Sequence, residues 1–201
     1  MRIGAVVLAA GGSTRLGSPK QLLSYGGRSL LRRAADSALA AVDGGPVVVV
    51  LGAGAAAFRE ELAGLPVLVV ENPDWSRGMG TSVRAGLGAL EEAASAPDAA
   101  LLTLCDQPLV TALELSGLVA AFRRAEGADG HQAIVAAAYG ESVGVPAVFG
   151  RAYFEELRAL PDDAGAKPVL RRHGKRVTPV PMPTAATDID TREQYENLLH
   201  T

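Results

Sequence analysis

Short apolar runs alternate with alanine-rich helical stretches along this chain, and that alternation leaves few architectures open. The runs cover residues 3–10, 46–51, 66–70, 99–104, 133–137, 146–149 and 177–181. Most are apolar throughout rather than at every second position, the pattern of strands covered on both faces. Between them, helical patterns cover 29–42, 55–63, 81–94, 112–125, 151–160, 164–172 and 191–200. Ser29, Thr81, Thr111 and Thr191 stand at N-cap positions, and Gln194 follows Thr191 at capping-box spacing. Such strand–helix alternation predicts an α/β chain: three layers around a mainly parallel sheet, with a small antiparallel part in the less regular final third.

A length of 201 residues suits one such domain, with 48% hydrophobic residues to fill its core. The formal charge of -3 argues against a broad polyanion surface, so nucleic acid is not an expected partner. The single cysteine, Cys105, permits no internal disulfide and suits a reducing cytoplasm. The apolar run 3–10 is too short to span a bilayer, and with one charge ahead of it, Arg2, it makes a poor signal peptide. No membrane partner is expected.

Ligands of such sheets gather at the carboxyl ends of the strands, where five segments carry chemistry. The first run opens into Gly11-Gly12-Ser13-Thr14-Arg15-Leu16-Gly17, with Lys20 just beyond. Backbone N–H groups from Gly11 to Leu16 can cup phosphates while Arg15 and Lys20 neutralise charge at an α-phosphorus. The plainer reading is a glycine turn with solvated cations, and the P-loop order of Gly-Lys-Ser/Thr is missing. Leu104-Cys105-Asp106-Gln107-Pro108 ends the most apolar run. A carboxylate there needs a partner: either it caps the turn, or it holds a hard cation such as Mg²⁺. Cys105 reads as a small buried hydrophobe.

The third segment, Asn72 to Ser82, passes Trp75 and enters a helix through Thr81-Ser82, offering hydroxyls and free N–H groups. Trp75 fits a loop anchor better than a ligand stacker. In the fourth, Gly144-Val145-Pro146 precedes Gly165-Ala166-Lys167, where Lys167 is either a phosphate contact or a surface lysine. In the fifth, Asp188 and Asp190 before the last helix serve either its positive end or a metal site. A competing pattern, Gly52-Ala53-Gly54 with Glu71 further on, matches a dinucleotide fingerprint and supports an NAD-linked oxidoreductase. It leaves the opening loop and Asp106 unexplained. His131, His173 and His200 lack metal-ligand spacing and are expected at the surface.

Taken together, Leu8-Ala9-Ala10-Gly11 through Lys20-Gln21-Leu22-Leu23, Gly78-Met79-Gly80-Thr81-Ser82, Asp106-Gln107-Pro108, Gly144-Val145-Pro146, Gly165-Ala166-Lys167 and Asp188-Ile189-Asp190-Thr191 resemble the MobA-like NTP transferases. The likeness is closest to the molybdenum cofactor cytidylyltransferases. It implies a Rossmann-like nucleotidyltransferase fold over residues 1–201, with a nucleotide-binding half of about 1–110 and an acceptor-binding half of about 111–201. The implied reaction takes CTP and molybdopterin-bound molybdenum to the cytosine dinucleotide form plus pyrophosphate. The implied partners include the recipient molybdoenzyme or its chaperone.

The resemblance gives Arg15, Lys20 and Asp106 catalytic roles, and Mg²⁺ to Asp106 with Asp190 rather than Asp188 as second ligand. Leu8, Ala9, Ala10, Gly11, Gly12, Ser13, Gly80, Ser82 and Gly86 become nucleotide contacts, and Val145, Lys167 and Asp188 acceptor contacts. Ala9-Ala10-Gly11 looks like the cytidylyl branch, since the guanylyl branch usually reads Ala-Gly-Gly. The family often has Gly-His-Pro and Gly-Ala-Arg where this chain has Val145 and Lys167. Lysine lacks the arginine fork and valine cannot hydrogen-bond, so guanylyl transfer or a sugar or alcohol phosphate acceptor stays open. A non-catalytic cofactor chaperone is the remaining alternative.

Overall fold

The strands are β1 (Ile3–Ala9), β2 (Ser24–Tyr25), β3 (Arg28–Ser29), β4 (Val47–Leu51), β5 (Leu68–Glu71), β6 (Ala99–Leu104), β7 (Ile134–Tyr139), β8 (Ser142–Gly150) and β9 (Val177–Pro181). The helices are α1 (Leu30–Val42), α2 (Ala55–Glu61), α3 (Met79–Glu92), α4 (Ala112–Ala125), α5 (Phe154–Arg158), α6 (Lys167–Arg172) and α7 (Arg192–Leu199). They come from a computed structural model that describes residues 1–52, 54–125 and 131–200. Ala53, inside the glycine pattern after β4, lies outside the described residues.

Seven strands form one sheet in the order β5-β4-β1-β6-β8-β7-β9. β1 pairs in parallel with β4 on one side and β6 on the other, so the chain reverses its winding direction at β1. A crevice opens at such a reversal, beyond the carboxyl ends of β1 and β6. The expected antiparallel part is β8, which runs against both β6 and β7, while β9 returns parallel to β7.

The unbroken apolar runs are explained by cover on both faces. Ala5, Val7 and Ala9 of β1 join Leu31, Ala35 and Phe122 from α1 and α4 in one layer. Val6 and Leu8 meet Val83, Leu87 and Leu90 of α3, with Phe154 and Leu157 of α5, in the other. The outer edge at β9 carries prolines at 179 and 181. Met182 N–H donates to Ala138 O at 2.9 Å, so the even-numbered positions face β7 and the prolines face outward, without donors for another strand.

Caps follow local chemistry. Ser29 accepts from Arg32 N–H, and Thr191 with Gln194 forms the expected capping box. Thr111 gains a reciprocal partner in Glu114. Thr81 does not cap: α3 begins at Met79 with Gly78 as N-cap. Gly78 has φ 132° and packs against Asp162, a close approach that only glycine allows and that starts the helix early. The 151–160 stretch divides into a 3₁₀ turn, Arg151–Tyr153, and α5. Of the histidines, His131 and His200 are exposed, but His173 is half-buried with Nε2 at 2.7 Å from Glu156 and its ring edge-on to Tyr153.

Gly86 sits where α3 crosses the sheet, and a Cβ there would overlap Val6 and Val50. Gly86→Val should therefore cost about 1–3 kcal/mol by overpacking, read as a lower midpoint in urea unfolding. An unchanged midpoint would mean that α3 does not lie this close to the sheet.

Candidate active site

The crevice at the ends of β1 and β6 is a cleft of about 260 Å³. One wall is the first strand and its loop, Leu8 to Gly12; the other holds Ser82, Met79 and Trp75; Lys20, Cys105 and Asp106 close the floor. Of the expected site residues, Leu8, Ala9, Ala10, Gly11, Gly12, Lys20, Ser82 and Asp106 thus converge here from segments far apart in sequence.

The loop's shape comes from a residue to which the motif alone assigned no role. Gln21 is 1% exposed, and its Nε2 donates to Ala9 O and Gly11 O, each at 2.8 Å. Tying down those carbonyls fixes the loop's path. Ser13 takes the left-handed conformation (φ 52°), and its Oγ accepts from Lys20 N–H at 3.0 Å, fixing where the lysine departs. The Leu16 amide does not join the phosphate donors, because the Ser13 carbonyl takes it at 3.1 Å.

On the opposite wall, buried Asn72 donates to Thr81 Oγ1 at 2.8 Å and to Ser82 Oγ at 3.0 Å. The Thr81 hydroxyl is spent on Gly78 O, and the Gly80 amide on Asp162 O. That leaves Ser82, with Ser76 of the preceding loop, as a hydroxyl lining the cleft. Trp75 anchors its loop, with its ring over Gly12 and Gly52, and also lines the cleft. The Trp75 ring and Ala10 O pack against Gly52, and Glu71 pairs with Arg59 at 2.9 Å, so two residues of the dinucleotide pattern are engaged by neighbours.

The charged residues meet in one chain of contacts. Lys20 Nζ lies 2.5 Å from Asp106 Oδ2 and 3.3 Å from Asp190 Oδ1, and Arg15 reaches Asp190 Oδ2 at 2.8 Å. Burial pulls Lys20 down, but the Asp106 carboxylate, aided by Asp190, outweighs it and raises the lysine above its ordinary value. Ile189 holds this junction together: its side chain is buried beside Leu30 and Leu198, and its N–H donates to Asp106 O at 2.9 Å. Asp188 is exposed, and its carboxyl is pushed up by partial desolvation and by the nearby Asp190 and Asp106 charges.

A divalent cation fits these residues. Asp106 Oδ1 is buried without a hydrogen-bond partner, and carboxylate oxygens are the ligands a hard cation takes. Among the described residues no group of three or more His, Cys, Asp or Glu could hold a metal alone. Two carboxylates completed by phosphate oxygens and water is the arrangement Mg²⁺ favours.

The remaining expected residues lie elsewhere. Gly80 and Gly86 serve packing against Pro161 and against the sheet. Val145, half-buried on β8, offers its carbonyl to Gln107 Nε2 at 3.3 Å. Gln107 also holds Ala185 O at 2.8 Å and so ties the loop after β6 to β8 and to the 3₁₀ turn Pro183–Ala186. Lys167 is exposed on a separate groove of about 380 Å³ beside Leu170, Arg171 and Val177.

Cys105 is sealed beneath the cleft, and burial together with the Asp106 charge pushes its thiol far up. Iodoacetamide at pH 8 should therefore label the denatured chain and spare the folded one; rapid labelling of folded protein would refute this. Both raised groups hold their protons longer in the folded state. Their contribution to stability is complete below the unfolded values, about 8.5 for the thiol and 10.4 for the lysine, and is lost as pH rises through the folded ones. Melting temperature should thus fall on the alkaline side.

The family model described as MobA-like NTP transferase domain matches residues 5–177. Nicotine blue oxidoreductase of Paenarthrobacter nicotinovorans is 36% identical over 208 residues, covering 96% of this chain and 95% of that protein. Among solved structures, Rv0371c of Mycobacterium tuberculosis H37Rv superposes with a TM-score of 0.79 at 32% identity, covering 100% of this chain and 98% of that one. Rv0371c is also known as a complex with manganese. A nucleotidyl transferase from Methanothermobacter thermautotroptrophicus gives a TM-score of 0.80 at 26% identity, covering 99% and 98%.

Proposed function

Because the chain belongs to the MobA-like NTP transferase family, we propose that it transfers CMP from CTP to a molybdopterin-type acceptor with release of pyrophosphate. The observation that carries the reading is the convergence of Lys20, Asp106 and Asp190 at the end of the glycine loop. An acceptor phosphate oxygen attacks the α-phosphorus in line, the bond to the β-phosphate oxygen breaks, and pyrophosphate leaves. The nucleophile is already an anion, so no strong general base is needed; positioning and charge neutralisation carry the step.

Gly11, Gly12 and Ser13 receive the phosphates, while Lys20 and Arg15 offset charge at the α-phosphorus and on the leaving group. Asp106 and Asp190 would hold Mg²⁺, which would supply further neutralisation of the triphosphate. Ala9, Ala10 and Ser82 face base and ribose, and the small Ala9-Ala10-Gly11 surface supports cytosine. Residues 111–201 supply the acceptor side through Val145, Asp188 and Lys167. No described helix is long and apolar enough to cross a membrane. The reading places the chain in the cytoplasm, handing product to a recipient enzyme or its chaperone.

The likeness to nicotine blue oxidoreductase favours a second reading, reduction of a ligand held in the same cleft. Its cofactor would enter by the glycine loop, since Trp75 packs on Gly52 and Arg59 holds Glu71. One panel separates the two: CTP, GTP or NADH with Mg²⁺, each with a molybdopterin, sugar-phosphate or alcohol-phosphate acceptor. Pyrophosphate released from CTP with the molybdopterin acceptor is the expected result. NADH oxidation on adding a reducible quinone-type dye, with no pyrophosphate from any pair, would replace the transferase reading.

A further inference from the structure

Lys20 reaches for the same two carboxylates that a metal would bridge. Its Nζ stands 2.5 Å from Asp106 Oδ2 and 3.3 Å from Asp190 Oδ1. The three side chains are only 13%, 16% and 24% exposed, so little water screens them. An ion bridging both carboxylates at about 2.1 Å needs the space the ammonium fills, and two cations cannot share it. Asp106 is meanwhile half committed: Oδ2 is taken by the lysine, and Oδ1 is buried with no partner. The second oxygen of Asp190 is drawn off by Arg15 at 2.8 Å.

We propose that Lys20 is a built-in competitor of the divalent cation, keeping Asp106 and Asp190 closed to metal until a nucleoside triphosphate draws its ammonium away. The inference rests on the reading of those two aspartates as metal ligands. The flexible four-carbon stem of lysine permits the swing, and the phosphate oxygens in the cleft are the destination. Metal and triphosphate then load together, and metal alone binds weakly. The same exchange places the ammonium against the phosphates only once the metal has replaced it on the carboxylates, so the acidic pair is never left bare.

The test is the binding of Mn²⁺ to the full chain, followed through the paramagnetic resonance signal of the free ion. Wild type, Lys20→Gln and Asp106→Asn are compared with and without CTP. Without nucleotide, Lys20→Gln should bind Mn²⁺ at least roughly tenfold more tightly than wild type, because a repelling charge has gone from beside the ligands. With CTP the gap should close, and Asp106→Asn should bind weakly throughout. The rise in melting temperature on adding Mn²⁺ gives a second readout, and Lys20→Met repeats the comparison if the glutamine variant melts too low. Equal or tighter nucleotide-free binding by wild type overturns the competition while leaving the transferase reading intact. Absence of Mn²⁺ binding in wild type even with CTP removes the metal ligands, and the proposed mechanism with them.

Discussion

Asp106→Ala should lower the rate of pyrophosphate release by on the order of 10²–10³, the scale of losing one group that stabilises developing charge in a closed site. Two features make this change damaging to the rate. Asp106 carries the unpartnered buried oxygen that suits a metal, and it anchors Lys20 beneath the cleft. Stability should change little by comparison. The lysine keeps Asp190 at 3.3 Å, and the substitution removes a buried acceptor that had no partner. The check is steady-state transfer beside thermal melting: a variant that melts normally and keeps its rate would remove Asp106 from the chemistry.

Lys20→Ala should also cost on the order of 10²–10³ in rate, through lost neutralisation at the α-phosphorus. Its stability profile should differ. Removing the ammonium leaves Asp106 and Asp190 facing one another, and breaking a buried pair in this way costs about 3–5 kcal/mol. Partial exposure and the pairing of Asp190 with Arg15 put the expectation near the lower end of that range. Divalent metal should restore much of the loss, since it offers the carboxylates a new partner. A variant that loses rate without losing stability, and gains nothing from Mn²⁺, would mean that the lysine is not the counter-ion of this pair.

The fold was largely legible in the sequence because its determinants are local. Apolar runs identified the strands, and all seven appear in the sheet, the inner ones buried on both faces and the edge strands β5 and β9 partly exposed. Ser29 and Thr191 capped as expected because a cap needs only the residues two and three positions on. Thr81 failed because Gly78 and Gly80 pack onto residues 161–163, a contact over 80 positions away that starts the helix early. β8 runs longer than its apolar stretch because pairing to β7 holds Ser142 to Gly144 in the ladder, across a bulge at Val145 and Pro146.

The site divides in the same way. Gly11, Gly12, Lys20, Ser82 and Asp106 were readable as chemistry because glycines, cations and a carboxylate at strand ends have few other uses, and the cleft contains them. Gln21 lay inside a quoted motif without a role, since nothing in its neighbours tells that its amide turns back to Ala9 and Gly11. Gly86, expected as a ligand contact, packs against Val6 and Val50, a placement that depends on which face of α3 meets the sheet.

What the sequence determined by itself is the α/β alternation, the caps and the set of polar groups able to handle a triphosphate, because each depends on residues a few positions apart. What only the tertiary structure decided is their conjunction. Lys20 stands between Asp106 and Asp190, which are 86 and 170 positions away. That meeting depends on the winding reversal at β1 and on Ile189, buried next to Leu30 and bonded to Asp106 O. Periodicity carries no information about contacts over such distances; packing and charge at close range do, and they bring two separate acidic motifs together around one lysine.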